Sequence, residues 1–332
     1  MKSSKTGFDN YCLYPLNKLP HELVQWANSC SAEGIAFSGF PEASREKFNT
    51  SYLRGVSKMA KDLDLYLEWG NGQHVPMDLS TFSKKEILSS NRKAIEEANA
   101  LGAKIIRSCS GGLMRWNPEA PDTEIFLKEA AGELIKQASM FRDNGVILAI
   151  ETHFEFTTFE LLRLFEMCEA EPGDWLGICL DTMNLMTMLE DPLAATKRIL
   201  PWIVSTHLKD GGILTDNEGI VTFPTPLGKG IIDLGSIIKM LQSLDKEIHL
   251  SVESHGGSFF LPVKEEWFML RFPDLSVDEY DQLMILSEKT SYKVKSEDLT
   301  ITERADWPLI CEERTKNDIK NLKTIRDKFK LT

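Results

Sequence analysis

This sequence has no long apolar run, no closely spaced cysteine pair and no excess of positive charge, and each shortage excludes a class of protein. Without a run of about 18 apolar residues, no transmembrane helix is expected. The start, MKSSKTGFDNYCLYPL, lacks the apolar stretch of a secretory signal, and the six cysteines form no CxxC motif. A cytoplasmic protein with reduced thiols is therefore expected. The net charge of −12 argues against nucleic acid as the main partner, because phosphate contacts need clustered lysine and arginine.

Strand-like and helix-like segments alternate through residues 1–258. The strand-like segments are GFDNYCLYP, GIAFSGF, LYLEWG, AKIIRSC, VILAIE, WLGICLD, WIVSTHL and IHLSVE. Helical spacing of apolar residues between them predicts helices at 20–30, 44–63, 84–100, 123–141, 159–168, 192–200 and 234–244. Eight strands separated by helices indicate the α/β class and a (β/α)8 TIM barrel, with a doubly wound open sheet as the alternative.

The last four strand-like segments each end in a side chain that can bind a metal. These residues are Glu151, Asp181, His207 and Glu253. Because side chains alternate between the faces of a strand, all four share the smaller and more polar face, which should point toward the barrel axis. The gaps from 151 to 181, from 181 to 207 and from 207 to 253 each leave room for a helix and a strand. The extra length of the last gap, DGGILTDNEGIVTFPTPLGKGIIDL, is rich in glycine and proline and is predicted to be a loop.

Three carboxylates and one imidazole suit one divalent metal ion. Oxygen-rich sets favour Mn²⁺, Mg²⁺ or Co²⁺, and Mn²⁺ is the first expectation. Zn²⁺ remains open, although it more often takes more nitrogen or sulfur ligands. The competing interpretation is that these polar side chains only face solvent at the strand ends.

The segments AIETHFEFTTFELLRLFE, CLDTMN, STHLKD, PLGKGIIDL and SVESHGG resemble the xylose isomerase-like (β/α)8 barrel superfamily, in the sugar phosphate isomerase and epimerase family. The resemblance covers roughly residues 8–258. It implies that the four end residues hold one divalent metal and that Glu151 and Glu253 are also the catalytic acid/base pair. The implied activity is a sugar isomerase or epimerase that acts on a small-molecule carbohydrate through an enediolate.

Two departures from the family pattern keep a second activity open. Ketose 3-epimerases usually carry a histidine where this chain has Asn184, and the arginine expected soon after His207 is absent, since DGGIL follows Lys209. The alternative is a metal-dependent lyase or dehydratase that eliminates a β-substituent from a keto-sugar or keto-polyol.

Further polar side chains are candidates for contact with the substrate. His153, Lys209 and His255 each lie two residues beyond a metal-ligand candidate on the same strand face, so they should line the barrel mouth. The remaining candidates are Asn184, Arg107, Glu68 and Trp116. The alternative roles are support of the metal ligands for the three residues on the strand face, an ion pair at the barrel top for Arg107, and packing beneath loops for Trp116.

The residues after 258 are too few for a second large domain. We therefore predict a TIM barrel at 1–258 and a C-terminal helical extension at 259–332 packed on the barrel. Ile319, Leu322, Ile325 and Phe329 have helical spacing, which indicates a buried face. The alternatives are that the extension forms a lid over the site or a contact in a homo-oligomer.

Overall fold

The computed structural model describes residues 4–40, 42–110 and 112–329. Its strands are β1 (Thr6–Asp9), β2 (Gly34–Phe37), β3 (Tyr66–Gly72), β4 (Ile105–Ser108), β5 (Ile147–Glu151), β6 (Leu176–Asp181), β7 (Ile203–His207), β8 (Asp210–Thr215), β9 (Ile220–Thr225), β10 (Leu250–Val252) and β11 (Phe259–Leu261). Eight of them form one parallel sheet in the order β10-β1-β2-β3-β4-β5-β6-β7. The amide of Leu208, just after β7, donates to the Ser251 carbonyl at 2.7 Å and brings the sheet edges together. The predicted TIM barrel is confirmed.

Thirteen α-helices are present in the described residues, most of them between barrel strands. They are α1 (Pro20–Ser29), α2 (Glu42–Arg45), α3 (Thr50–Asp62), α4 (Leu88–Leu101), α5 (Thr123–Leu134), α6 (Ala138–Asn144), α7 (Thr158–Met167), α8 (Asn184–Thr187), α9 (Pro192–Ile199), α10 (Leu234–Gln242), α11 (Glu266–Met269), α12 (Val277–Lys295) and α13 (Trp307–Lys328). Short 3₁₀ segments lie at Asn10–Leu16, Met114–Trp116, Ile135–Gln137 and Leu200–Trp202. The helix predicted at 44–63 divides because Asn49 caps α3, accepting the Tyr52 amide at 2.9 Å.

The predicted loop after β7 is wrong, because it contains an antiparallel hairpin. β8 pairs with β9, and β11 adds to the other edge of β9. Ile213 and Ile220 are buried on one face of this small sheet, and Phe223 is buried on the other face, which lies toward α12. Asp216 turns the hairpin by accepting the amides of Glu218 and Gly219 at 2.7 and 2.9 Å.

The glycine-rich segment that follows, PLGKGII, wraps around a carboxylate of the same chain. Asp210 accepts the amides of Gly228, Gly230 and Ile232 at 2.9, 2.9 and 3.2 Å. A Cβ at Gly230 would lie 2.1 Å from Asp210 Oδ1, so only glycine permits this approach. The segment thereby fixes the chain between β9 and α10.

The barrel interior is filled below the level of the predicted site. Ala149 and Cys179 form a small apolar cluster with Ile105 and Ile147 packed against it. Ala149 and Cys179 each lie two residues before a metal-ligand candidate, on the same strand face. This apolar cluster fills the barrel interior. The polar side chains at the carboxyl ends of the strands therefore line the open end of the barrel.

The C-terminal helices pack on the barrel. α12 contacts β8, and α13 lies against β1, β10, α10 and the first 3₁₀ segment. Trp307 at the start of α13 donates its indole N–H to the Cys12 carbonyl at 3.0 Å, and Ile319 and Leu322 are buried. The boundary at 258 stays a prediction. Within the described part of the chain, no helix combines the length and apolar character needed to cross a membrane.

Candidate metal and substrate site

The four predicted metal ligands converge at the carboxyl end of the barrel. One ligand atom from each of Glu151, Asp181, His207 and Glu253 lies within 4.8 Å of the others, and all four side chains are buried. His207 Nδ1 faces Glu151 Oε1 at 3.4 Å and Glu253 Oε2 at 3.5 Å. Strands β5, β6 and β7 supply three of these residues, and Glu253 follows β10 directly.

The donor set of these four residues fits a divalent cation. Both ring nitrogens of His207, together with Asp181 Oδ2 and Glu253 Oε2, are buried atoms without a partner in hydrogen-bond geometry, although Lys209 lies at ion-pair distance from the two oxygens. Asp181 Oδ1 is occupied, since it accepts the amides of Met183 and Asn184 at 3.0 Å each, so Oδ2 is the oxygen left for an ion. Burying several carboxylates together is unfavourable unless cations balance them, and three carboxylates with one imidazole suit a divalent metal.

Asp9, at the end of β1, lies beside the histidine and was not predicted from the sequence. Its Oδ2 lies 3.2 Å from His207 Nε2 and also accepts the Ser38 hydroxyl. Its Oδ1 accepts the Tyr11 amide at 2.7 Å, so the carboxylate is held from both sides. A proton on Nε2 toward Asp9 leaves Nδ1 with its lone pair toward the glutamates, as metal binding requires.

Two cations, the half-buried Arg107 and the buried Lys209, contact the ligand carboxylates. Arg107 donates to Glu151 and, at 3.1 Å, to the Ser38 carbonyl. Lys209 Nζ lies 2.7 Å from Asp181 Oδ2 and 2.5 Å from Glu253 Oε2, which is ion-pair distance. Burial favours a lower pKa for Lys209, but the two carboxylates raise its pKa above the ordinary value. Burial likewise favours a higher pKa for Glu151, but Arg107 and His207 together outweigh burial and hold that pKa low.

A cavity of about 500 Å³ opens above the ligand group. This volume lies in the range of about 300–1,000 Å³ that is typical of small-molecule sites. Its wall includes Glu151 and Glu253 together with five of the seven predicted substrate contacts: Arg107, His153, Asn184, Lys209 and His255. Asn184 is buried and its Nδ2 has no hydrogen-bond partner, so this amide can donate to a bound molecule.

The structure does not bring the other two predicted substrate contacts to this cavity. Glu68 accepts the Ser205 hydroxyl inside the barrel and lines a separate cavity at the amino ends of the strands. Burial raises the pKa of Glu68 to about 7, partly offset by Ser205. Trp116 lies behind the wall, where its indole N–H donates to the Phe260 carbonyl at 2.8 Å and its ring packs on Phe154.

Several wall residues were not singled out from the sequence. Cys109 follows β4 and forms a compact group with His153 and Glu155, in which His153 Nδ1 lies 2.9 Å from Glu155 Oε2. Tyr11 comes from the 3₁₀ segment after β1, and Arg304 comes from the chain between α12 and α13. Cys109 is the last residue of the strand-like segment AKIIRSC that contains Arg107, which was a usable signal; for Arg304 there was none.

The family model of the xylose isomerase-like TIM barrel matches residues 24–268. This chain therefore belongs to that family. Among curated proteins, the uncharacterized protein YihM of Escherichia coli (strain K12) is 27% identical over 135 residues. That match spans 41% of this chain and 40% of YihM, so it covers well under two thirds of the relative.

Three solved structures share the fold. L-ribulose 3-epimerase superposes with a TM-score of 0.58 at 18% identity, covering 89% of this chain and 98% of that one. The probable 3-DHS dehydratase AsbF from Bacillus anthracis has a TM-score of 0.55 at 17% identity, covering 87% and 99%. The IOLI protein with a bound zinc atom has a TM-score of 0.56 at 15% identity, covering 90% and 100%. At these identities the likeness establishes the fold alone.

Proposed function

We propose that this protein is a divalent-metal-dependent isomerase or epimerase of a sugar or sugar derivative. The observation that carries the proposal is the buried group of Glu151, Asp181, His207 and Glu253, whose ligand atoms lie within 4.8 Å at the floor of an open cavity. The sugar epimerase among the fold neighbours and the zinc-bound neighbour agree with it. Mn²⁺ is the proposed ion, because oxygen ligands predominate.

A divalent ion in this group supplies a Lewis acid that makes the C–H bond beside a substrate carbonyl acidic. Glu151 and Glu253 then act as the proton-transfer pair. They come from β5 and the end of β10, which lie three strands apart around the closed barrel, so they approach a bound ketose from different sides. One carboxylate removes the carbon-bound proton, and the other takes up a proton from solvent and passes it to the opposite face of the planar enediolate.

The remaining wall residues are proposed to position the substrate. Lys209 and Arg107 are held as cations beside the carboxylates, so they can donate to substrate oxygens while keeping the glutamates ionised. Asn184 has a free amide donor, and His153 and His255 add ring nitrogens at the wall. These groups suit a polyhydroxylated ligand, which needs many directional hydrogen bonds.

The test is reaction of the Mn²⁺-loaded protein in D₂O with a panel of ketoses and their phosphates. We expect solvent deuterium at the carbon that changes configuration. Glu151→Gln or Glu253→Gln should each lower turnover by roughly 10²–10⁴-fold with metal content verified, because each removes a general acid/base. Glu96→Gln, on the exposed face of α4, is the matched control and should keep full activity. Inverted product without solvent deuterium would contradict the two-glutamate proposal.

A lyase or dehydratase is the second candidate. Two observations favour keeping it: Asn184 stands in the wall where ketose 3-epimerases usually carry a histidine, and a dehydratase is among the fold neighbours. The same proton abstraction leads to elimination when a leaving group is present on the next carbon. Release of water with an unsaturated keto product in the same assay would assign this activity instead.

A further inference from the structure

The chain between α12 and α13 is fastened to the barrel mouth through its backbone. The Gly257 amide donates to the Thr302 carbonyl at 2.8 Å. A Cβ at Gly256 would lie 2.4 Å from the Glu303 carbonyl oxygen, so the two backbones approach as closely as glycine allows. Gly256 and Gly257 follow Glu253 closely in sequence. Arg304 therefore lies beside the loop that begins at Glu253.

Two tyrosines orient the Arg304 side chain. Its guanidinium carbon lies 4.7 Å from the Tyr14 ring centre and 5.3 Å from the Tyr11 ring centre, both within cation–π range. The guanidinium also donates to the Tyr11 hydroxyl and, at 3.5 Å, to the Gly256 carbonyl. Arg304 is exposed and lines the cavity, so part of its guanidinium group faces the space that a ligand would enter.

Arg304 has no carboxylate partner in this cavity. The carboxylates around the ligand group are Glu151, Asp181, Glu253 and Asp9. Arg107 and Lys209 already lie against the first three of them. No carboxylate within residues 4–40, 42–110 and 112–329 makes an ion pair with Arg304, so its positive charge is left to attract an anion.

We propose that Arg304 and Tyr11 form an anion subsite at the cavity mouth, and that the substrate is therefore a sugar derivative with a carboxylate or phosphate at the end remote from its carbonyl. This inference rests on the proposed function, because the subsite belongs to the same cavity. A planar guanidinium binds either oxyanion through two parallel N–H bonds, and the tyrosine stacking holds its plane before the ligand arrives. The C-terminal segment thus takes part in substrate selection.

The test compares matched ligands by isothermal titration calorimetry of the full-length, Mn²⁺-loaded protein. The probes are D-fructose, its 6-phosphate and the corresponding 6-carboxylate. We expect the anionic probes to bind roughly 10- to 100-fold more tightly than D-fructose, as for a hydrogen-bonded charge pair. The preference should weaken as salt rises. The phosphate and carboxylate arms show which oxyanion the subsite selects.

Variants separate this subsite from direct binding of the anion to the metal. Arg304→Gln should abolish the anion preference and leave the affinity for D-fructose unchanged. Arg304→Lys should keep part of the anion preference, because lysine retains the charge but lacks the planar guanidinium group. Arg54→Gln, on the exposed face of α3, is the matched control and should keep the whole preference.

Three results would overturn the proposed subsite. They are equal affinity of the wild type for charged and neutral probes, no binding of any probe, and an anion preference that persists in Arg304→Gln. The proposed function fails separately, since it is judged by solvent deuterium and not by affinity. Arg304-dependent anion binding without any turnover would retain the subsite and refute the isomerase.

Discussion

At the scale of single residues, the site depends on which nitrogen of His207 faces the carboxylates. Asp9 Oδ2 lies 3.2 Å from Nε2, while the Ser38 hydroxyl and the Tyr11 amide hold Asp9 in place. The carboxylate at this position favours a proton on Nε2 and leaves Nδ1 toward the glutamates. A carboxylate behind a ligating histidine also increases the basicity of the ligand nitrogen.

Asp9→Asn should weaken metal binding by about 10- to 100-fold, the usual effect of removing a partner behind a metal ligand. Competition with a fluorescent chelator measures the change in Kd for Mn²⁺. Asp62→Asn, exposed at the end of α3, is the control and should leave the Kd unchanged. Equal metal affinity in Asp9→Asn and wild type would show that the histidine is oriented by other contacts.

His74 should make stability depend on pH. It is 1% exposed, its Nδ1 lies 2.8 Å from the Ser108 hydroxyl, and burial lowers its pKa to about 4, partly offset by Glu155. The unfolded chain binds a proton near the ordinary pKa of about 6.5. The unfolded state therefore holds more protons between these values. The stability that neutral His74 contributes is present above pH 6.5 and is lost as the pH falls toward 4.

The comparison is His74→Asn, which keeps a polar group near Ser108 but does not titrate. Urea unfolding from pH 7 to pH 4 should show that the wild type loses up to about 3 kcal/mol more stability than the variant. Two curves that stay parallel over this range would contradict burial of a neutral His74.

The sequence predicts the convergence of Glu151, Asp181, His207 and Glu253 well and their surroundings less well, for a physical reason. Glu151 and Glu253 could be predicted because strand parity and the strand end determine their direction. Asp9 was hidden because GFDNYCLYP was read as one strand, whereas the strand ends at Asp9 and a 3₁₀ segment follows. Arg304 could not be predicted, since only tertiary contact with Gly256 and Gly257 brings its segment to the barrel mouth.

At the scale of elements, the barrel strands followed from apolar runs, but the β8–β9 hairpin did not. Its glycines and prolines were taken as loop signals, although ILT and IVTF on either side of DNEG are rich in the β-branched and aromatic residues that favour strands. The predicted helix at 123–141 also divides into α5, a 3₁₀ segment and α6. Composition alone does not show where a helix changes direction.

Helix α13 completes the layer around β1 and β10, so its apolar face should support stability. Leu322 is fully buried, and Leu322→Ala should lower the free energy of unfolding by about 2–5 kcal/mol. Lys320→Ala, on the exposed face of the same helix, should change it by less than about 0.5 kcal/mol. Deletion of residues 317–332 should cause insolubility or a large fall in Tm. Unchanged unfolding with altered turnover would instead favour a lid.

At the scale of the whole molecule, barrel closure creates the site from distant parts of the chain. Glu151 and Glu253 are separated by about a hundred positions, yet their ligand atoms meet within 4.8 Å. Such a group exists only in the folded state, so a bound ion should stabilise the fold according to its concentration relative to Kd. The C-terminal segment also reaches this end of the barrel, which joins both ends of the sequence to one cavity.

The central claim is that Glu151, Asp181, His207 and Glu253 hold one divalent ion. Mass-spectrometric elemental analysis of protein loaded with Mn²⁺ and dialysed tests it most directly. The account predicts about one ion per chain in the wild type and a large loss in His207→Ala, because an open group of three carboxylates holds the ion weakly. His21→Ala, outside the cavity, should keep the ion. Full occupancy in His207→Ala, or none in the wild type with Mn²⁺, Mg²⁺, Co²⁺ or Zn²⁺, would contradict the claim.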